Sequence, residues 1–484
     1  MSVFGEHLRD LIDSNEINVY ALAKSTGLER TAIHKIISGK RMPSDDYVYK
    51  LADAMPLSPE ERRELLESYN ISKVGELKYK QRIQVKNLIE IMAYIENGTD
   101  LPVAATSETA TSLNEHNFTV TGNFAVNNLV KSVMDEAAAG KGTQGLDFVI
   151  PESYQFFYNE LLDHYIRCPA LRIRHIVAFS KKIDFQNNTN RNLDMLSHVL
   201  PFAFAPGMVY HPYYYYRTSG DAELTNAAPY FILTSANRLV LINKEITKAA
   251  YIRDANIVAM YRDSFSAMLG SAKPLIKYLG SIVELLNHCI DNDVGDAGEP
   301  YHWIEPEPCI GPMATEEIVD AHLSRDVPNR DDLFALICKH YGFLRENQLR
   351  NINVCTTDGL RRIIDSGYIY NIPVDIMKPL SRETIKDMLV ELRGRIADNK
   401  VKVLFTDPSK ITVPSKTLLN INKKTGINFM MHDSASGSDY RAVCLSEESI
   451  NEAFTDFVES IEESGFVYSE NDSLAVLDDE INTL

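Results

Sequence analysis

The chain has 484 residues, 45% hydrophobic and 24% charged, with 67 acids against 49 bases and a formal net charge of -18. That balance describes a folded chain of two to four domains with a large buried core, and it excludes both a disordered polymer and a protein coated throughout in basic nucleic-acid-binding surface. The cysteines, Cys168, Cys289, Cys309, Cys338, Cys355 and Cys444, form no CxxC pair and no zinc-ligand spacing, the opening "MSVFGEHLRDLIDSNE" lacks the apolar core of a signal peptide, and no apolar run reaches membrane-spanning length; a cytoplasmic protein with reduced thiols, bound to no membrane, is expected.

Residues 1–70 read as five short helices. Phe4, Leu8, Leu11 and Ile12 form one apolar stripe. Asn18 is placed to cap a second helix with Leu22, Ala23 and Thr26 inward, ended by Gly27. A third, from Glu29, buries Ile33, Ile36 and Ile37 and stops at Gly39. Ser44 caps a fourth carrying Val48, Leu51, Ala52 and Met55, and Ser58-Pro59-Glu60-Glu61 is a capping box that opens a fifth through Tyr69. Residues 71–98 form a connecting helix whose stripe, Val85, Leu88, Ile89, Met92 and Ile95, suits either the rest of this chain or a second copy. Residues 99–117, rich in Thr, Ser and Ala, read as a linker.

From Phe118 helices alternate with short β-rich runs, an α/β pattern. Residues 171–179 and 230–243 read as strands, the second a hairpin turning at Ala236-Asn237, followed by an amphipathic helix from Asp254. A first lobe over 118–298, a proline-rich connection at 299–312 that holds the only tryptophan, and a second lobe over 313–484 with strands at "VKVLFT" and "INFMMH" complete the chain. "FILTS" with the helix after Asp254 matches "FMMHDS" with the helix after Glu447, so a duplicated lobe and a single irregular domain are both open. The fold class expected is multidomain, a helix-turn-helix head of five helices before a large α/β region. After Arg441 there is no base at all, only acids.

Against that acidic background, residues 20–50 carry six bases, Lys24, Arg30, Lys35, Lys40, Arg41 and Lys50, and three acids, Glu29, Asp45 and Asp46. Two short helices joined at Thr26-Gly27-Leu28 can lay the second in a DNA major groove. With Ile33, Ile36 and Ile37 inward, that helix presents Arg30, Thr31, His34 and Lys35. Arg and Lys reach guanine's acceptors, and Thr hydrogen-bonds or touches a thymine methyl. Glu29 suits the positive end of the helix but repels phosphate, so its side chain should run along the groove.

The spacing of Leu22, Ala23, Gly27, Leu28, Ile33, Ile36, Gly39, Lys40, Arg41 and Pro43 resembles the helix-turn-helix of the Cro/CI repressor class, the XRE family. The resemblance implies base contacts from Arg30, Thr31 and Lys35 and phosphate contacts from Ser38, Lys40 and Arg41. The family usually has glutamine at the head of the second helix, on a phosphate; here it is Val19, with Asn18 and Tyr20 as substitutes.

"YHPYYYYR" (210–217) is the least usual composition. In an extended strand Tyr213 and Tyr215 face one way and Tyr214 and Tyr216 the other, so His211, Tyr213, Tyr215 and Arg217 form a candidate ligand pocket, against the plainer reading of packing tyrosines. "AAAGKGTQG" (137–145) lacks the spacing of a phosphate loop and reads as a plain loop. Neither HExxH nor HxKxxxxD occurs, and no nucleophile with an orienting pair stands out. The expectation is a transcriptional regulator that is not an enzyme, with no catalytic residue, metal or cofactor, a homodimer on a double-stranded operator, its α/β region sensing a small molecule or protein effector. An antitoxin-like or phage-defence interaction protein, and an enzyme fused to a DNA-binding head, are the alternatives.

Overall fold

The computed structural model of the chain describes residues 2–96, 113, 116–139, 145–168, 170–181, 190–205, 209–217, 230–293, 299–346, 351–370, 372–432 and 440–484. They divide into two compact units, one over Met1–Ile83 and one over Gln84–Ile183 and Asn190–Leu484.

The first unit holds α1 (Val3–Ser14), α2 (Val19–Thr26), α3 (Arg30–Ile37), α4 (Asp45–Ala54), α5 (Pro59–Val74) and the start of α6 (Glu76–Glu96). Phe4, Leu8, Ile12, Leu22, Ile33, Ile36, Val48, Leu51, Leu65 and Tyr69 meet in one core, each large side chain there contributing about 1.5–3 kcal/mol. The capping box is formed: Ser58 Oγ accepts from Glu61 N at 3.2 Å and the Glu61 carboxylate accepts from Ser58 N at 2.8 Å. Ser44 stands at the head of α4 without a side-chain cap bond. Tyr69 Oη donates instead to Asp45 at 2.6 Å, tying α5 to the start of α4.

In the second unit, the latter part of α6 buries Val85, Leu88, Ile89 and Met92. Glu96 at its end accepts from Lys416 N at 2.7 Å, and Glu90 from Thr412 N at 3.2 Å. The stripe therefore packs on its own chain.

The first lobe runs β1 (Phe118–Thr121), α7 (Asn123–Ala139), β2 (Gly145–Val149), α8 (Gln155–Arg167), β3 (Arg172–Ser180), α9 (Arg191–Phe204), β4 (Tyr210–Arg217), β5 (Tyr230–Thr234), β6 (Leu239–Ile242), β7 (Lys248–Ile252), α10 (Ala255–Ser271) and β8 (Lys273–Pro274). The second runs β9 (Ile276–Leu279), α11 (Ile282–Asp293), β10 (His302–Ile304), a 3-10 turn, α12 (Glu316–His322), α13 (Arg330–Glu346), β11 (Asn351–Cys355), α14 (Thr357–Ser366), α15 (Arg382–Ala397), β12 (Val401–Phe405), β13 (Thr417–Asn422), β14 (Gly426–His432), β15 (Tyr440–Leu445), α16 (Glu448–Glu459) and α17 (Glu470–Thr483).

Their sheets have one topology. The first is ordered β1-β7-β6-β5-β2-β3-β4-β8 and the second, read in the same direction, β9-β15-β14-β13-β10-β11-β12. In each, three neighbouring strands are parallel, β2-β3-β4 and β10-β11-β12, joined by helical crossovers, and the rest are antiparallel. The α/β region is thus two similar lobes. The helices α10 and α16 correspond as the sequence match proposed, but the strand partner of "FILT" is β13, one strand earlier than "FMMH". Nor does 299–312 separate the lobes: β9 precedes it, and His302–Ile304 lies between β11 and β13 inside the second sheet. Its prolines stand on either side of the three residues that pair, which is where proline is tolerated.

One hydrophobic core runs through both lobes. Phe204 and Phe429 meet with ring centres 6.0 Å apart, Tyr216 Oη donates to Glu447 at 2.7 Å, and Asn192 Nδ2 donates to Ser449 Oγ at 2.9 Å.

Candidate nucleic-acid interface

The helix-turn-helix is built by α2, a turn and α3. Asn18 caps α2, its Oδ1 accepting from Tyr20 N at 2.8 Å and Ala21 N at 3.3 Å. Thr26 Oγ1 donates to Leu22 O at 2.7 Å, closing the helix, and Gly27 at φ 71° turns the chain. Only glycine adopts that conformation without a Cβ penalty. Leu28 is buried, so the turn is anchored before α3 begins.

Ala32, Ile33 and Ile36 are buried beneath α3 and Ile37 is half-buried; Ala32 adds a small residue that the apolar spacing alone did not single out. Arg30, Thr31, His34 and Lys35 are exposed together on the opposite side, as are Lys40 and Arg41 beyond the helix. The side chains proposed for base and phosphate contact therefore come together. Neither Arg30, Lys35 nor Lys40 makes an ion pair among the described residues.

Thr31 Oγ1 donates to Glu29 at 3.2 Å, which holds the carboxylate against the start of the helix. Ser38 is half-buried, and its hydroxyl donates to Lys35 O at 3.1 Å. Arg41 lies 5.8 Å from the centre of the Tyr47 ring, which props the guanidinium. Asn18 is committed to its cap, and Tyr20, the other candidate substitute for the family's glutamine, is 66% exposed at the first turn of α2. Tyr49 is also exposed, on α4, and no periodicity argument singled it out.

In the first lobe, "YHPYYYYR" forms β4, and the expected alternation holds: Tyr213 and Tyr215 pack beside Phe265 of α10, and Tyr214 and Tyr216 on the core shared with the second lobe. A cavity of about 460 Å³ at this strand is lined by Tyr214, Tyr215, Tyr216, Met268, Ser271 and Lys273. Of the proposed pocket residues whose side chains are described, only Tyr215 lines it. His211 is exposed, Tyr213 is half-buried, and the side chain of Arg217 lies outside the described residues. Lys273, across from Tyr214 in the ladder, was not anticipated, because its neighbour is set by the short pairing of β8 with β4. The loop 140–144 also lies outside the described residues.

Residues 8–62 match the family described as Helix-turn-helix. The N-terminal unit is an XRE-type helix-turn-helix domain. Three solved structures similar to the chain are TrmBL2, an archaeal chromatin protein (12% identity, covering 55% of this chain and 98% of that one, TM-score 0.22), polyphosphate kinase from Porphyromonas gingivalis (10%, 71% and 50%, 0.23) and phosphatidylserine synthase from Haemophilus influenzae Rd KW20 (9%, 76% and 93%, 0.25). Scores this low carry no argument about the chain's chemistry. No curated protein matches the chain. Among the described residues no helix is long and apolar enough to cross a membrane, and no group of three or more His, Cys, Asp or Glu is placed to hold a metal ion.

Proposed function

We propose that the protein is a cytoplasmic transcriptional regulator that binds a specific operator through its helix-turn-helix domain and senses a small molecule or protein effector through its duplicated α/β region. The observation that carries the reading is the division of α3: one side buries Ala32, Ile33 and Ile36, and the other presents Arg30, Thr31 and Lys35 to solvent without ion-pair partners among the described residues. A charge kept out of internal pairs is available to bases and phosphates.

A homodimer fits this reading, because a single head contacts few bases and a second half-site raises affinity through effective concentration. Sensing then acts by altering the spacing or mobility of two heads. No catalytic step is assigned to the lobes. Genome-wide mapping of bound DNA tests the proposal: discrete sites sharing a motif, lost on replacement of Arg30 and Lys35 by alanine, are expected. Uniform DNA coverage unchanged by that replacement overturns it.

A further inference from the structure

The second lobe encloses a cavity of about 90 Å³ between its sheet and helices α11 and α13. By the space one water needs, it has room for roughly six heavy atoms. Its polar floor comes from β10 and the strands on either side. Trp303 pairs with Asn353 of β11 and with Asn420 of β13, which sets the three side chains in one row. Glu305, two residues further along β10, stands on the same face of the sheet, its backbone N–H donating to Val354 O at 2.9 Å.

Two carboxyl groups are buried here and one cation balances them. Glu307 is paired with Arg362 at 2.6 Å. Glu305, 2% exposed, accepts from Asn353 Nδ2 at 2.7 Å and makes no ion pair among the described residues. Burial, and after it the Glu307 charge, push the Glu305 pKa well above the usual carboxylate range. Asn353 is engaged at both ends, its Oδ1 accepting from Cys309 N at 2.9 Å.

Asn420 is not used. It is 6% exposed and lines the cavity, and its Oδ1 accepts no hydrogen bond among the described residues. A dry, unpaired carbonyl costs free energy that a donor in the cavity would recover. Trp303 and Tyr341 supply aromatic faces, which attract positive charge. In the first lobe the buried acid on β2, Asp147, is closed off by Arg174 of the adjacent strand at 2.5 Å, and the arginine is covered by Phe265 at 5.3 Å. Glu305, on the sheet face away from α16, has asparagine rather than arginine beside it on the adjacent strand.

We propose that this cavity binds a small primary ammonium ion, its N–H groups donating to Asn420 Oδ1 and the Glu305 carboxylate and its alkyl chain lying against Trp303 and Tyr341. The ion supplies the cation that an ionised Glu305 needs, and the proton of Glu305 leaves to solvent as it enters. This rests on the reading that the α/β region senses a ligand, and names the site and the ligand class.

Trp303 is the only tryptophan of the chain, so its fluorescence in the full-length protein reports the cavity directly. Titration with n-butylammonium chloride should give a saturable change with a Kd tighter than about 1 mM. The neutral n-butanol should bind at least tenfold more weakly, and Glu305→Gln and the nearly isosteric Asn420→Leu should each weaken the amine at least tenfold. No saturable change up to about 10 mM, equal binding of n-butanol, or unchanged binding by a folded Asn420→Leu protein overturns the proposal, whether or not Glu305→Gln folds. Operator affinity is measured in parallel. An amine-dependent shift supports sensing through this site, and a tryptophan response without one overturns the sensing reading while the site stands.

Discussion

Replacing Arg30 and Lys35 by alanine removes two positive side chains from a helix without disturbing its core. Both are exposed and unpaired among the described residues, and alanine is a good helix former. The thermal stability of the double variant should therefore stay within about 0.5 kcal/mol of the parent. Each well-placed base contact supplies about 1–3 kcal/mol of discrimination, so the pair should cost about 2–6 kcal/mol of operator preference if the two contributions add. Lys40 stands exposed beyond the helix, where the proposed reading puts a phosphate, and Lys40→Ala should weaken operator and scrambled DNA alike, lowering the slope of log K against log salt by about 0.9. Fluorescence anisotropy at several salt concentrations, on an operator duplex and its scramble, separates the two behaviours. The reasoning fails if the double variant loses the same factor on both duplexes, or if Lys40→Ala changes sequence preference.

His175 is fully enclosed between Tyr210, 2.9 Å from Nδ1, and Tyr158, and burial, with a smaller contribution from His198, pushes its pKa down to about 3. Between pH 6.5 and 3 the unfolded chain binds the proton that the folded chain refuses, so stability falls as pH drops, by about 2 kcal/mol from this group at pH 5. Urea melts at pH 7 and pH 5 should show the loss, and His175→Gln should remove that share; an unchanged pH dependence would count against a neutral buried imidazole. Ile89→Ala, in the buried stripe of α6, should cost about 2–5 kcal/mol in the same melts, against almost nothing were the stripe facing solvent. Gly359→Ala would put a Cβ 1.9 Å from the carbonyl oxygen of Pro306, a backbone atom at the cavity loop. It should cost more than about 3 kcal/mol or abolish soluble expression, and a variant that melts like the parent would show the loop to be free to move.

The head was legible because its signals are local. Asn18, Gly27 and the Ser58–Glu61 box act within one turn of chain, and the spacing of Ile33 and Ile36 sets which side of α3 is left for DNA. The duplication was legible only in outline. Helix periodicity marks α10 and α16, but strand order follows from pairing between residues far apart, so "FILT" corresponds to β13 and not to "FMMH", and the proline-rich stretch around Trp303 is a strand inside the sheet and not a connection. The tyrosine run was placed on the correct strand with the correct alternation, while Lys273, the cavity's base, is carried to it by a two-residue strand with no sequence signature of its own.

The amino-acid order alone determined the helical head, its capping, the sites of its outward charges and the α/β character of the remainder, since these depend on propensities and periods within a few residues. Tertiary structure decided that α6 packs on its own chain, that the two lobes share one topology and one core, and that Glu305 and Asn420, 115 positions apart, stand around one cavity with Trp303. Such neighbours are set by strand register and by which side chains exclude water together, and neither is written in any single stretch of the sequence.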